Sequence, residues 1–216
     1  MTKKEKRKAQ SNLEEWFNML SHGLAALAAI AGLVILIILG VRSEQSLSLF
    51  SALFYGISLV ILFTMSALYH GLRHKTAKAI FNRFDHISIF LLIAGTYTPV
   101  LLLVLGGTAG WVLFGLQWGI ALTGAVLKIF YTGKYESASL VLYAVMGWMI
   151  IFRISELRAV FPEGGFWLLV AGGMAYTFGI IFYVIDTRMK LSHFIWHLFV
   201  IAGSLLHYLM MILYVY

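Results

Sequence analysis

Ser192-His193-Phe194-Ile195-Trp196-His197 opens the last hydrophobic stretch of the chain and carries two histidines four residues apart. On a helix, residues at that spacing lie one above the other on the same face. His193 and His197 could therefore both reach one metal ion. The zincin pattern would place a glutamate beside the first histidine, and Phe194 stands there instead. A third ligand and a base must then come from elsewhere in the chain.

The elements that would position them are membrane helices. The 216 residues are 61% hydrophobic and only 12% charged, with a mean hydropathy of +0.90, which excludes an ordinary soluble domain. The absence of cysteine removes disulfides and any thiolate metal site, so a metal centre must use His, Asp or Glu with water. The net charge of +7 is assigned to topology and anionic lipid rather than to nucleic acid. The apolar run after the basic start is too long for a cleavable signal, and Glu14 and Glu15 separate the two.

A spanning helix needs about 20 mainly apolar residues. Seven candidates satisfy this, at about 16–41, 47–70, 84–105, 108–130, 138–155, 164–186 and 191–215. The fold class is thus an all-α seven-transmembrane bundle. Residues 1–15 form a basic arm and helix start, and 16–216 one integral domain. Ser11-Asn12-Leu13-Glu14 has the form of a capping box, Gly71 to Arg83 is the longest polar connection, and Thr96-Tyr97-Thr98-Pro99 predicts a kink in the third span.

Basic residues set the orientation. With a cytoplasmic N-terminus, the inner side holds Lys3, Lys4, Lys6, Arg7 and Lys8, then Arg73, Lys75, Lys78 and Arg83, then Lys128, Lys134, Arg188 and Lys190. The outer side holds only Arg42, Arg153 and Arg158. The C-terminus then lies outside.

In this arrangement ionisable residues from four spans meet in the cytoplasmic third. The second span ends at His70, the third begins with Asp85-His86, the seventh carries His193 and His197, and the first carries Glu15, Asn18 and His22 on one face. Such residues are costly inside spans and usually face partners or cavities. Three imidazoles with one open position is the pattern of catalytic zinc, which lowers the pKa of a bound water towards ~7. Asp85 could hold that water and accept its proton. Ser66, one turn before His70, could orient a ligand or donate to a developing oxyanion.

Ser66-Ala67-Leu68-Tyr69-His70, Phe84-Asp85-His86 and Ser192 to His197 together resemble the progestin and adipoQ receptor family. With Glu15-Trp16-Phe17-Asn18 and His22 in front, the chain is most similar to its bacterial haemolysin III branch. The wider superfamily includes alkaline ceramidases, membrane amide hydrolases. The resemblance implies a multi-pass protein of a bacterial plasma membrane with His70, His193 and His197 on a zinc ion, Asp85 holding the metal-bound water and Ser66 beside the site. The long soluble N-terminal region of the animal receptors is missing, so a hormone-receptor role does not carry over. Ceramide is uncommon in bacteria, so that substrate does not carry over safely either.

Plainer roles stand beside these. Either histidine of the last span could be a solvated interfacial group, Asp85 a helix-start acid, and Ser66 a packing residue. Glu15, Asn18 and His22 are expected to support a ligand or close the cavity floor. His86 is expected to pair with a neighbouring helix and His207 to be hydrogen-bonded within the bundle. The leading expectation for function is a zinc-dependent hydrolase of a lipid amide or ester, with membrane lipid as substrate. The alternatives are a non-enzymatic sensor of lipid state with structural zinc, and a pore-forming cytolysin, against which the absence of a continuous polar stripe argues.

Overall fold

The computed structural model describes residues 11–186 and 188–216, with Thr187 and the basic arm of residues 1–10 outside the described part. Among the described residues the architecture is entirely helical: α1 (Asn12–Arg42), α2 (Ser48–Gly71), α3 (Lys75–Pro99), α4 (Gly107–Tyr131), α5 (Glu136–Gly147), α6 (Ile154–Val160), α7 (Glu163–Val184) and α8 (Ser192–Met210). Seven helical stretches are long and apolar enough to cross a membrane, α5 and α6 together forming the fifth. The protein is a multi-pass integral membrane protein. Successive helices pack antiparallel: α1 along α2, α2 along α3, α3 along α4 and α7 along α8, while contacts between α8 and α1 join the two ends of the chain.

Ser11 caps α1 in a capping box, its hydroxyl accepting from the Glu14 amide while the Glu14 carboxylate accepts from the Ser11 amide. The third helix begins at Lys75, not at Phe84, so most of the expected polar connection is helical. His74 caps it, Nδ1 accepting from the Ala77 amide. Hydropathy marks where a span becomes apolar, whereas the helix starts where the cap is, about two turns earlier. The π-helix Val100–Leu105 follows Pro99 directly, and the hydroxyls of Thr96 and Thr98 donate to the carbonyls of Leu92 and Ala94. Ring insertion displaces the backbone ladder, and neighbouring hydroxyls compensate it inside an apolar medium.

The fifth span is longer than expected and broken. α5 ends at Gly147 and a 3₁₀ stretch, Met149–Arg153, leads into α6. The break is stitched by side chains from two other helices. Gln117 on α4 donates Nε2–H to the Met146 carbonyl. Tyr97 on α3 donates its hydroxyl to the Gly147 carbonyl and accepts from the Ile150 amide. Backbone polar groups left open in lipid cost several kcal/mol each, so a break at this depth survives only with such partners.

Glycines let helices approach closely. A Cβ at Gly110 would collide with the Leu101 backbone carbonyl, whereas one at Gly115 meets nothing within 4 Å. Gly110→Ala should therefore cost about 1–3 kcal/mol through overpacking, lowering the midpoint of thermal loss of monodisperse protein in detergent, while Gly115→Ala leaves that midpoint unchanged or raises it slightly.

Candidate metal centre

The site sits at the end of the bundle where α1 begins, here the proximal end. The last two turns of α2 carry Ser66 and His70; the first two turns of α8 carry His193 and His197. α8 starts from Leu191 in a left-handed conformation, φ +59°. That strained turn is held on both sides. The Leu191 amide donates to Glu14 Oε1 at 2.5 Å, and the Ser192 hydroxyl to the Phe182 carbonyl of α7 at 2.6 Å. The helix that carries two histidines is thus fixed in register against α1 and α7.

His70, His193 and His197 are all buried, and one ring nitrogen from each lies within 4.8 Å of the other two. The three ring centroids stand 4.9–5.2 Å apart. His70 Nδ1 contacts Glu15 Oε2 at 2.7 Å, and the other Glu15 oxygen accepts from Lys78 Nζ at 2.9 Å. His70 Nε2 is buried with no hydrogen-bond partner. A carboxylate on one ring nitrogen fixes the proton there and turns the lone pair of the other inward. An orphaned inward-facing imidazole nitrogen next to two further imidazoles fits a divalent cation of zinc type, which takes such nitrogens at ~2.0–2.1 Å. His193 has a similar carboxylate behind it, Asp186 Oδ2 lying 3.4 Å from Nδ1.

Asn18 and His22 are buried on the same face of α1. His22 does not join the three-histidine group. It stacks on His197, centroids 3.7 Å apart and planes at 15°, with its edge against Phe63. It buttresses the His197 ring. Asp85 and Ser66 both line the 260 Å³ cavity into which His193 and His197 also face. Ser66 is buried and Asp85 half-buried. All eight residues singled out from the sequence for this site are thus at one end of the bundle.

Comparison with known proteins defines the family. The model described as "Haemolysin-III related" matches residues 10–208. The chain belongs to the haemolysin III family. "Hemolysin-3" of Bacillus cereus is 39% identical over 215 residues, 100% of this chain and 98% of that protein. "Hemolysin-3 homolog" of Bacillus subtilis (strain 168) is 40% identical over 191 residues, 88% and 89% of the two chains. "Monocyte to macrophage differentiation factor" of Homo sapiens is 29% identical over 197 residues, 88% of this chain and 80% of that one. No solved structure matches significantly.

Two features of this haemolysin III protein escape sequence reading. Asp186, behind His193, lies seven residues before it, where its signal is a single acid at the end of an apolar run. Glu15 was expected near the site, but its pairing with His70 and Lys78 depends on α1 packing against α2 and α3. Metal analysis checks the set. His193→Ala should lose the bound metal, and Glu15→Gln should weaken metal affinity about 10–100-fold. Asp85→Asn should retain metal at the wild-type level.

Proposed function

We propose that this protein is a zinc-dependent hydrolase acting on the amide or ester bond of a membrane lipid. The observation that carries the proposal is the adjacency of two cavities that share a wall. The polar one, lined by His193, His197, Asp85 and Ser66, shares Leu62, Ile89, Leu140, Tyr143, Trp196 and Val200 with a 450 Å³ cavity bounded by α3, the broken fifth span, α7 and α8. That second cavity is walled almost wholly by apolar side chains. An acyl chain fits the second while its carbonyl reaches the first, and a soluble substrate would gain nothing from such a pairing.

Zinc bound by His70, His193 and His197 would supply Lewis-acid polarisation of the acyl carbonyl and activation of a water. Asp85, on the cavity wall, accepts the proton of the attacking water. The Ser66 hydroxyl, buried one turn from His70, donates to the carbonyl oxygen as charge builds on it. Glu15 and Asp186 hold the imidazoles of His70 and His193, and the His22 stack holds that of His197. The apolar cavity orients the chain and excludes water from the bond not being cut.

The contrasting reading is a structural metal that joins α2 and α8 in a non-enzymatic regulator. The extent of contact among Glu15, His22, His70 and His197 supports it. Acyl release from lipid amides and esters by zinc-loaded protein in detergent separates the two. Hydrolysis should occur and fall by at least about 10²-fold in Asp85→Asn with metal retained. Under the structural reading, Asp85→Asn leaves all properties unchanged, and chelation only lowers the melting midpoint.

The proximal end is proposed to face the cytoplasm, on the asymmetry of the basic residues. The natural absence of cysteine makes the check direct. Lys190→Cys in sealed cells should resist a membrane-impermeant maleimide, and Glu44→Cys should react with it.

A further inference from the structure

A second ionisable cluster adjoins the polar cavity that His193 and His197 line. His86 on α3 places Nδ1 3.2 Å from Glu136 Oε2 at the start of α5. The same oxygen accepts from Lys128 Nζ of α4 at 3.0 Å, and Lys128 is almost wholly buried. Glu136 Oε1 accepts from the Gly133 amide at 2.9 Å, and the Tyr143 hydroxyl donates to the His86 carbonyl at 2.9 Å. The carboxylate is therefore held by His86, Lys128 and the Gly133 amide, and it in turn holds the imidazole, while Tyr143 ties the His86 backbone. The cluster is more than a surface ion pair, because His86 also lines the 260 Å³ cavity together with Asp85, His193 and His197. A proton on Nδ1, shared with Glu136, leaves Nε2 as the ring atom available to that cavity. Lys128 balances the Glu136 charge, so the carboxylate can orient the ring without drawing it away from the cavity.

We infer that His86 is a catalytic residue that protonates the leaving group, with Glu136 and Lys128 as positioning residues; this rests on the hydrolase reading. Hydrolysis of an amide forms a bond from the water oxygen to the acyl carbon and breaks the bond from that carbon to nitrogen. One water proton passes to Asp85. His86 acts from its imidazolium form, with Nδ1–H on Glu136 and Nε2–H on the cavity side. The nitrogen departs with the bonding electron pair and takes the Nε2 proton, leaving a neutral imidazole. The proton on Asp85 then returns to His86, leaving carboxylic acid and amine as products and both side chains restored. A single acid on the wall would have to serve both transfers; the two neighbours on α3 divide them.

The test varies the need for that proton. An amine cannot leave without one, whereas nitrophenolate leaves readily as an anion. Metal-loaded full-length protein is assayed with dodecanoyl ethanolamide and dodecanoyl p-nitrophenyl ester. In His86→Gln, kcat/KM for the amide should fall about 10²-fold or more, while that for the nitrophenyl ester changes little. Glu136→Gln should give a smaller loss with the same selectivity, and both variants should keep wild-type metal content. Equal losses on the two substrates, or none on either, in both variants overturn the inference while the hydrolase reading stands. Absence of wild-type turnover on both substrates removes the reading and the inference with it.

Discussion

The structure depends on packing three imidazoles against one another inside an apolar bundle. Buried polar rings need partners, and in a membrane no water competes to supply them. The partners come from helices that do not carry the rings. Glu15 on α1 meets His70 on α2, Asp186 just beyond α7 approaches His193 on α8, and His22 of α1 covers His197. Each contact crosses a helix boundary, so the cluster and the proximal packing of α1, α2, α7 and α8 stabilise each other. Most of α1 faces lipid, as its exposed Leu20, Leu24, Leu27 and Ile30 show. Its first turns nevertheless supply Glu14, Glu15, Asn18 and His22, and this polar beginning is what attaches an otherwise lipid-facing helix.

The other half of the bundle is arranged differently. The fifth span packs loosely, and its helix breaks at Gly147 beside the apolar cavity. A continuous helix needs no help from its neighbours for its backbone. This one needs Gln117 and Tyr97, which take up the groups freed at the break. At the 3₁₀ stretch and just before it, Trp148, Ile150 and Ile151 wall the cavity. Histidine packing on one side and a stitched, broken span on the other flank two neighbouring cavities, one polar and one apolar.

Much of this was legible in the residues. Seven long apolar runs could only be spans, and i, i+4 spacing placed His193 and His197 together. Where a span becomes polar told which residues share a depth, which is why His70, Asp85 and the α1 residues could be grouped before any coordinates. Depth does not tell azimuth, however. Glu15 and His70 share a depth with several other groups, and only the packing of α1 on α2 selects that pair. Lys128 reads as a topology-setting lysine and Glu136 draws no reading at all, because nothing local shows that α4 and α5 bring them to His86. The start of α3 was displaced for a related reason. Lys75, Lys78 and Arg83 are polar, and hydropathy does not distinguish a solvated helical turn from a loop.

That the histidine group offers three imidazoles and not four donors is what supports the proposed chemistry over a purely mechanical metal. A structural zinc site is closed by four protein ligands, whereas a catalytic one leaves a position for water or substrate. Among the described residues the group consists of three imidazoles, and two of them, His193 and His197, line a cavity. His22 is the residue that could have closed it. It lies within stacking distance of His197, yet it is used as a flat buttress on the ring face instead of an edge-on ligand. A bundle needing only a staple would gain from turning that ring inward. Keeping it flat keeps its nitrogens out of the three-histidine group, and the cavity that Asp85 and Ser66 line shares Leu62, Ile89 and Trp196 with its apolar neighbour.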